Sequence, residues 1–340
     1  MKSFLTVALS TGVALAHSGV WNLDIDGTNY PARDTRMDGK LGAKRIEWGF
    51  RDAGVPWGPV SDVNSAGITC GLSPTPPALK AVARAGANVT VQWSGIVRTH
   101  YGPVMTYLAL LPSPDAKPQS LSFFKIAEHG YNAVDKLWAN EELNKHDRKD
   151  TFQLPSDIAP GTYVLRTELM SLHYATKTGP QFYSHCFNIG ITSNGTAKPQ
   201  GVKFPGGYTR SDPSLVYALY TPSGAQTNWE SYKVPGPPKY AGKYDAPTGP
   251  VPKVSDKERG VFPPEFQAKY EAFKKKEDEE GLDFNTKLNK GQEALGHKVV
   301  DAANEASLQP IFSEHIKAQQ GMNRELAALR AEAVKLGIAE

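Results

Sequence analysis

The chain has 340 residues, with 38 lysine and arginine residues against 35 aspartate and glutamate residues and a formal net charge of +3. This near balance argues against a nucleic-acid-binding protein. After the amino-terminal segment no apolar run reaches the roughly 18 residues that a transmembrane helix needs. The composition therefore predicts neither a nucleic acid partner nor a membrane span.

Residues 1–16 have the pattern of a secretory signal peptide. A basic second residue is followed by an apolar run over residues 4–13 and by the small residues Ala14 and Ala16, which signal peptidase prefers. Cleavage after Ala16 makes His17 the first residue of a secreted, extracellular protein.

An amino-terminal histidine has unusual value as a metal ligand. His17 would supply two nitrogen donors, its free α-amine and its imidazole Nδ1, and these can chelate one metal ion. The α-amine has an ordinary pKa of about 8, so a metal displaces its proton near neutral pH. With a third nitrogen from a distant histidine, the donors form a planar set that selects Cu(II).

The next two hundred residues are rich in short apolar or alternating segments separated by Gly, Pro, Asn and Asp. Six segments are predicted strands: GVWNLDI, NVTVQW, VMTYLALL, LSFFKIAEH, TYVLRTELMSL and QFYSHCFNIGI. One short helix is predicted around residues 133–143. Residues 17–235 are therefore expected to form a mainly β domain, an immunoglobulin-like or fibronectin-III-like β-sandwich with long loops.

The cysteines and sequons agree with secretion. The chain has two cysteines, Cys70 and Cys186, and an even count in an oxidising compartment favours one disulfide. Asn88 and Asn194 begin Asn-x-Thr sequons, so both are candidate glycosylation sites.

The composition changes in the last third of the chain. Residues 236–261 form a Pro/Gly-rich linker, and residues 262–340 form a charged extension with the apolar spacing of helices. The charged run 274–280 is expected to be a solvated helix face. Packing on the sandwich, self-association and partial disorder are alternatives for this extension, whose role the sequence leaves open.

Two further histidines and two polar residues are candidate site residues. His100 precedes Gly102-Pro103, which force a turn before a strand and so place this histidine at a strand end. His173 follows another predicted strand. Gln181 and Tyr183 lie on one face of the next strand, because side chains alternate with a period of two.

These segments, taken together, resemble the fungal lytic polysaccharide monooxygenases of auxiliary activity family nine. The resemblance covers about residues 17–240, and the order and spacing of the matching strings agree. The strings are His17 with IDGTNY, then PVSDVNSAGITCG, AGANVTVQW, HYGPVMTYLA, FFKIAEHG, LPSDIAPGTYVLRTELMSLH, GPQFYSHC and PGGYTRSDPS.

The resemblance implies a role for each candidate in binding one copper ion. His17 would supply its amine and Nδ1, and His100 its Nε2. Tyr183 would lie at an axial position with its hydroxyl close to the metal. His173 and Gln181 would hydrogen-bond an oxygen species there, which makes them, with Tyr183, the predicted catalytic residues.

Other positions follow from the same resemblance. Cys70 and Cys186 match the disulfide of the family. Tyr30 and Tyr208 correspond to aromatic residues on a flat surface that faces the substrate. Thr167 is a departure, because the family usually has histidine between the arginine and glutamate of this strand. Since that position is not a ligand, the predicted metal site is unaffected.

Further aromatic residues are judged from their surroundings. Tyr101 is another candidate for stacking on sugar rings, because it neighbours His100, although packing inside the domain explains it equally well. Trp21 and Trp48 are expected in the core or in loop packing.

The resulting hypothesis is a monomeric, secreted, copper-dependent monooxygenase. It would cleave cellulose or a related β-1,4-glucan oxidatively, using an external electron donor and oxygen or hydrogen peroxide. A copper-binding protein without catalysis and a carbohydrate-binding cell-wall protein are the alternatives on the same fold. His173, Gln181 and Tyr183 favour the enzyme, because copper storage needs none of them.

Overall fold

The structure of the protein, a computed structural model, describes residues 18–37, 44–51, 57–95, 100–294 and 305–337. The predicted signal peptide and His17 lie outside the described residues. The strands are β1 (Val20–Ile25), β2 (Thr28–Pro31), β3 (Gly49–Arg51), β4 (Leu72–Thr75), β5 (Ala81–Arg84), β6 (Asn88–Trp93), β7 (Val104–Leu110), β8 (Phe124–His129), β9 (Tyr131–Asn132), β10 (Leu137–Trp138), β11 (Lys149–Gln153), β12 (Gly161–Ser171) and β13 (Gln181–Thr192). The helices are α1 (Gly67–Cys70), α2 (Ala139–Lys145), α3 (Asp256–Arg259), α4 (Pro264–Ala294) and α5 (Glu305–Lys335).

Two larger sheets form the body of the domain. One has the strand order β11-β6-β1-β2, and the other has the order β5-β13-β12-β7-β8. Within these sheets neighbouring strands are antiparallel, except that β5 pairs with β13 in parallel. The six predicted strands correspond to β1, β6, β7, β8, β12 and β13, so the mainly β class is confirmed.

The main apolar core contains side chains from both larger sheets. In β6, Val89, Val91 and Trp93 are buried and alternate with less buried residues, as expected of a strand with one face on a core. Strand β12 is instead buried along most of its length. A second apolar cluster, which includes Phe204 and Trp229 from the loops after β13, packs on its other face.

The predicted disulfide is confirmed. Cys70 at the end of α1 is bonded to Cys186 in β13, across a sequence separation of 116 residues. Closing a loop of that length removes conformational entropy from the unfolded chain and stabilises the fold by about 4 to 5 kcal/mol in the chain-entropy model.

The short helix lies later in the chain than predicted. Helix α2 begins at Ala139, whereas the predicted range began six residues earlier. The Asn132 side chain accepts hydrogen bonds from the amides of Val134 and Asp135, and Lys136 has a positive φ of 55°. These features form a turn between β9 and β10, because an asparagine side chain competes with helical hydrogen bonds.

The Pro/Gly-rich segment 236–261 lies against the domain for part of its length. The amide of Tyr240 donates to the carbonyl of Lys125 at 2.7 Å, and the amide of Ser156 donates to the carbonyl of Lys243 at 2.8 Å. The Tyr240 ring also contacts Phe124, with ring centroids 5.5 Å apart. These contacts make the segment part of the domain surface.

Helices α4 and α5 form an antiparallel pair, called the helical hairpin below. Ion pairs join the start of α4 to the end of α5, as in Lys269 with Glu332 and Lys276 with Glu325. The apolar faces predicted from the spacing meet in one cluster with Met37 of the β domain: Phe262, Phe266, Tyr270, Phe273, Met322, Leu326, Leu329 and Ala333. The extension therefore packs on the β domain.

The charged run 274–280 is only in part a solvated face, so the expectation was wrong for four of its residues, one of which, Glu280, binds His315 and Gln319 of α5. The Lys274 side chain is buried and its Nζ lies 5.4 Å from the Trp21 ring centroid. Glu277 and Asp278 also contact the β domain. Sequence spacing gave no sign of these contacts, because their partners are remote in the chain.

Within the described part of the chain, no helix is both long and apolar enough to span a membrane.

The docked hairpin is expected to make stability depend on pH. Burial raises the pKa of Asp278 from 3.8 to about 6, against the opposing charge of Arg148 at 2.8 Å. Lys274 also favours ionisation, and Glu277 opposes it. The folded chain therefore binds this proton more tightly than the unfolded chain, so the carboxyl contributes stability at low pH that is lost as the pH rises to about 6.

Asp278→Asn should match the unaltered protein near about pH 4 and exceed its stability near about pH 7 by an amount on the order of 2 to 3 kcal/mol. Denaturant unfolding of both proteins across this range measures the difference. Asp283→Asn, which changes an exposed residue of the same helix, is the control. A difference that does not vary with pH would contradict the prediction.

Candidate functional site

The segment that carries His100 crosses the end of β12. The Tyr101 carbonyl accepts a hydrogen bond from the Leu172 amide at 2.8 Å, and the Pro103 carbonyl accepts one from the Met170 amide at 3.0 Å. A Cβ atom on Gly102 would lie 1.8 Å from the Met170 carbonyl oxygen, so only glycine permits this approach. The expected position of His100 at a strand end is confirmed.

This crossing brings three of the predicted site residues together. The ring centroids of His100 and His173 are 4.2 Å apart, and those of His100 and Tyr183 are 6.3 Å apart. His100 and Tyr183 are buried, whereas His173 is partly exposed. The fourth residue, Gln181, accepts a hydrogen bond from the Tyr183 hydroxyl at 3.0 Å, as their shared face on β13 predicts.

The protonation states of this group are set by burial. Burial lowers the pKa of His173 to about 4, so the ring is neutral near neutral pH. Its Nδ1 lies 2.6 Å from the Ser171 hydroxyl, which fixes the ring orientation. Burial also raises the pKa of Tyr183, which keeps the phenol protonated. The site therefore offers neutral nitrogen and oxygen donors.

The first described residues, Ser18 and Gly19, are anchored beside this group. The Gly19 amide donates to Ser94 Oγ at 2.8 Å, and the Ser94 amide donates to the Gly19 carbonyl at 2.9 Å. His185 Nε2 lies 3.3 Å from the Ser18 carbonyl oxygen, and its Nδ1 lies 2.7 Å from Glu47 Oε1. Because strand side chains alternate, His185 shares the β13 face of Tyr183.

This arrangement tests whether the residues present fit a copper ion. No group of three His, Cys, Asp or Glu side chains within the described ranges could hold a metal, so His100 needs further donors. The peptide that precedes Ser18 in the sequence belongs to His17, the only residue with both an imidazole and, after cleavage, a free amine. The anchoring of Ser18 near Tyr183 therefore fits a copper site completed by His17.

The prediction that Tyr30 and Tyr208 lie on a surface facing the substrate was wrong. Tyr30 is fully buried, and its hydroxyl accepts from the Val82 amide at 3.2 Å. Tyr208 is 3% exposed and its hydroxyl donates to Glu168 Oε1 at 2.5 Å. Neither ring is available to a polysaccharide. Trp21 and Trp48 are buried, as expected.

Exposed tyrosines occur elsewhere near the site. Tyr174 is 43% exposed, and its ring centroid lies 4.2 Å from that of His173. Tyr220 is 45% exposed and packs on Trp229, which also contacts Tyr101. The sequence analysis missed both. The position of Tyr174 directly after His173 was the available signal, but exposure depends on the loop conformation.

Three remaining positions have environments that the structure describes. Asn88 and Asn194 are exposed, so both sequons stay candidate glycosylation sites. Thr167, the departure from the family pattern, is fully buried, and its hydroxyl lies 3.1 Å from that of Thr106. It therefore belongs to the core.

Residues 17–232 match the model of Auxiliary Activity family 9, formerly GH61. Two similar proteins from Geotrichum candidum are AA9 family lytic polysaccharide monooxygenases. Monooxygenase B is 39% identical over 200 residues, or 58% of this chain and 53% of that protein. Monooxygenase A is 36% identical over 242 residues, or 70% of this chain and 80% of that protein. The chain thus spans about half of the first relative.

Two solved structures are also similar. A glycoside hydrolase family 61 member from Hypocrea jecorina has a TM-score of 0.59 and 30% identity. The match covers 66% of this chain and 100% of that chain. A cellulose-active polysaccharide monooxygenase from M. thermophila has a TM-score of 0.53 and 27% identity, covering 67% of this chain and 100% of that one.

The burial of Tyr208 leads to a test of core against surface roles. Tyr208→Phe should lower the free energy of unfolding by about 1 to 3 kcal/mol, because Glu168 and Tyr107 lose a buried hydroxyl partner. Denaturant unfolding measures this loss. The control is Tyr174→Phe, which removes an exposed hydroxyl and should leave stability unchanged. Unchanged stability of Tyr208→Phe would contradict the buried role of this hydroxyl.

Proposed function

The chain belongs to Auxiliary Activity family 9, and from this premise we propose that it is a copper-dependent lytic polysaccharide monooxygenase acting on cellulose or a related β-1,4-glucan. The observation that carries the proposal is the meeting of His100, His173 and Tyr183, together with the anchoring of Ser18 by His185 on the β13 face that carries Tyr183. The reaction would need an external electron donor and oxygen or hydrogen peroxide.

The copper ion would be held by nitrogen donors from two histidines. His17 would contribute its α-amine and Nδ1, and His100 its Nε2, and the Tyr183 hydroxyl would face the same ion. Nitrogen donors of this kind favour Cu(II) over other divalent ions. When bound, the ion supplies the redox chemistry that activates the oxidant toward a sugar C–H bond.

The role of His173 follows from the position of its ring, between His100 and the Ser171 hydroxyl. Its Nδ1 is taken up by Ser171, so Nε2 is the nitrogen that we assign to the oxidant. From that atom the ring can donate or accept one proton in a hydrogen bond. Ser171 holds the ring in place while this bond forms.

Gln181 orients the same reactant with a neutral amide. Its Oε1 accepts from the Tyr183 hydroxyl, which directs its two N–H donors away from that bond. An amide fixed in this way can hydrogen-bond an oxygen atom without adding charge. Gln181 and Tyr183 thus act together, since each sets the position of the other.

Two buried carboxylates beside β13 are held by neighbouring side chains and are therefore not candidates for hydrolytic catalysis. A glycosidase places two carboxyl groups on either side of the scissile bond. In this chain the fully buried Glu47 lies beside His185, and Glu168 is paired with Arg166. Both are committed to structural contacts inside the domain.

The substrate assignment is supported by the exposed aromatic rings. Tyr174 beside His173 and Tyr220 on the Trp229 cluster present rings to solvent. Sugar rings have apolar C–H faces that stack on such side chains. The similar structure from M. thermophila is described as cellulose-active. These features favour a flat glucan surface as the substrate.

The remaining expectations belong to the same proposal. Secretion with cleavage after Ala16 would free the amine of His17, and the disulfide agrees with an oxidising compartment. We also propose that the protein is a monomer, that its β domain is an immunoglobulin-like or fibronectin-III-like sandwich, and that Asn88 and Asn194 carry glycans. The proposed domain division is 1–16, 17–235, 236–261 and 262–340.

The metal donors can be tested on the mature protein beginning at His17. His100→Ala should weaken Cu(II) binding by more than about 100-fold, since loss of a ligand costs more than loss of its hydrogen-bonded partner. His17→Ala should do the same. Both should abolish release of oxidised oligosaccharides from cellulose. Titration calorimetry and mass spectrometry measure the two effects.

Two controls isolate the donors. His146→Ala removes an exposed histidine and should change neither property. A form that keeps Ala16 before His17 has every side chain but no free amine at His17, and it should bind copper weakly. Unchanged product release from the His100 or His17 variant would refute the proposal.

A separate test addresses the substrate surface. Tyr174→Ala should weaken retention on cellulose about threefold to tenfold, the usual range for one aromatic contact. Pull-down with insoluble cellulose measures retention. The matched control is Tyr244→Ala, because Tyr244 packs near Tyr240 and Asp157, at the opposite end of β12 from His173. Equal retention of both variants would exclude Tyr174 from the surface.

A further inference from the structure

A cluster of charged side chains joins α4 to the β domain at residues 34–37. The Arg36 guanidinium donates to both oxygens of Asp34, at 3.0 and 2.9 Å, and to both oxygens of Glu277 on α4. The Tyr270 hydroxyl donates to Asp34 at 2.6 Å. Although burial opposes ionisation, the charge of Arg36 holds the pKa of Asp34 below its ordinary value. Arg36 is therefore clamped between the domain and the hairpin.

The clamped guanidinium lies over two tryptophan rings. Its Cζ atom is 4.8 Å from the Trp57 ring centroid and 5.6 Å from that of Trp21. The two indoles meet edge to face, with centroids 5.2 Å apart and an interplanar angle of 87°. Asp278 of α4 accepts from Trp21 Nε1 at 3.2 Å. Asp278 of α4 thus holds Trp21. Arg36, which is bound by Glu277 of α4, holds Trp57.

Trp57 has a backbone that needs such support. Its φ is +52°, a left-handed conformation that costs a bulky residue about 1 to 3 kcal/mol and persists only where surrounding contacts impose it. The cation–π contact of Arg36 and the edge of Trp21 are contacts of that kind.

Trp57 in turn defines the path of the amino-terminal residues. A Cβ atom on Gly19 would lie 2.5 Å from Cε2 of Trp57, so the Gly19 backbone packs directly against the indole. Gly19 and the adjacent Ser18 carry the bonds to Ser94 and His185 that anchor this end of the chain. The series of contacts from α4 therefore ends at the peptide that follows His17.

We propose that Glu277 and Arg36 are positioning residues through which the helical hairpin holds the amino-terminal metal ligand in place. This assigns a role to the carboxy-terminal extension, and its copper readout rests on the proposed function. The hairpin would act through Trp57 and Gly19, without touching copper or substrate.

The test uses the full mature chain in two variants. Glu277→Gln removes the charge that α4 presents to Arg36, and Arg36→Lys keeps the positive charge but loses the planar fork that bonds two carboxylates and stacks on indole. In metal-free protein, both should speed amide hydrogen exchange over residues 18–21 and at Trp57 by about fivefold or more. In the copper-loaded protein, both should shift the Cu(II) hyperfine coupling in the paramagnetic resonance spectrum.

Glu325→Gln is the matched control, because it removes an exposed ion pair with Lys276 inside the hairpin. It should leave the exchange of residues 18–21 and the spectrum unchanged. Faster exchange in α4 of Glu277→Gln with unchanged exchange in residues 18–21 would overturn the inference. If the unaltered protein fails to bind copper, the proposed function is refuted. The hydrogen-exchange rates of residues 18–21 in the metal-free variants then still test whether the hairpin positions the amino-terminal residues.

Discussion

The antiparallel ladder between β12 and β13 is the constraint on which the site depends. It runs from the pair of Gly161 and Ile191 to the pair of Ser171 and Gln181 without a register shift. Its last pair lies where the candidate site begins, since His173 lies two residues after Ser171 and Tyr183 lies two residues after Gln181. A slip by one residue would turn Tyr183 to the opposite face. The paired strands therefore fix the geometry that the histidines use.

The two faces of β13 serve different parts of the molecule. One face carries Tyr183 and His185, which lie beside His100 and Ser18. The other carries Cys186, whose disulfide fixes α1, and Ser184, which donates to Glu168. Because a buried ion pair such as Arg166 with Glu168 is costly to break, the second face stabilises the register that the first face requires.

Strand periodicity explains why much of the site was predictable. Gln181 and Tyr183 share a face, and His100 lies at a strand end because Gly102 and Pro103 follow it, so local sequence determines both. The confirmed disulfide followed from an even cysteine count. The prediction that Tyr30 and Tyr208 face the substrate was wrong, because the position of a residue in a motif does not determine whether it is buried. Their hydroxyls bond the Val82 amide and Glu168, which are remote in sequence.

The docking of the hairpin escaped prediction for a related reason, and its chemistry bears on what it does. Among the described residues of the β domain, Met37 alone enters the apolar cluster of the hairpin, so the apolar burial seen there leaves the orientation weakly determined. Charged hydrogen bonds are directional, and Arg36 meets Asp34 and Glu277 with fixed fork geometry. Such contacts define orientation more than they add stability. A helix held in that manner can transmit its position to Trp57, which a purely apolar contact would do poorly.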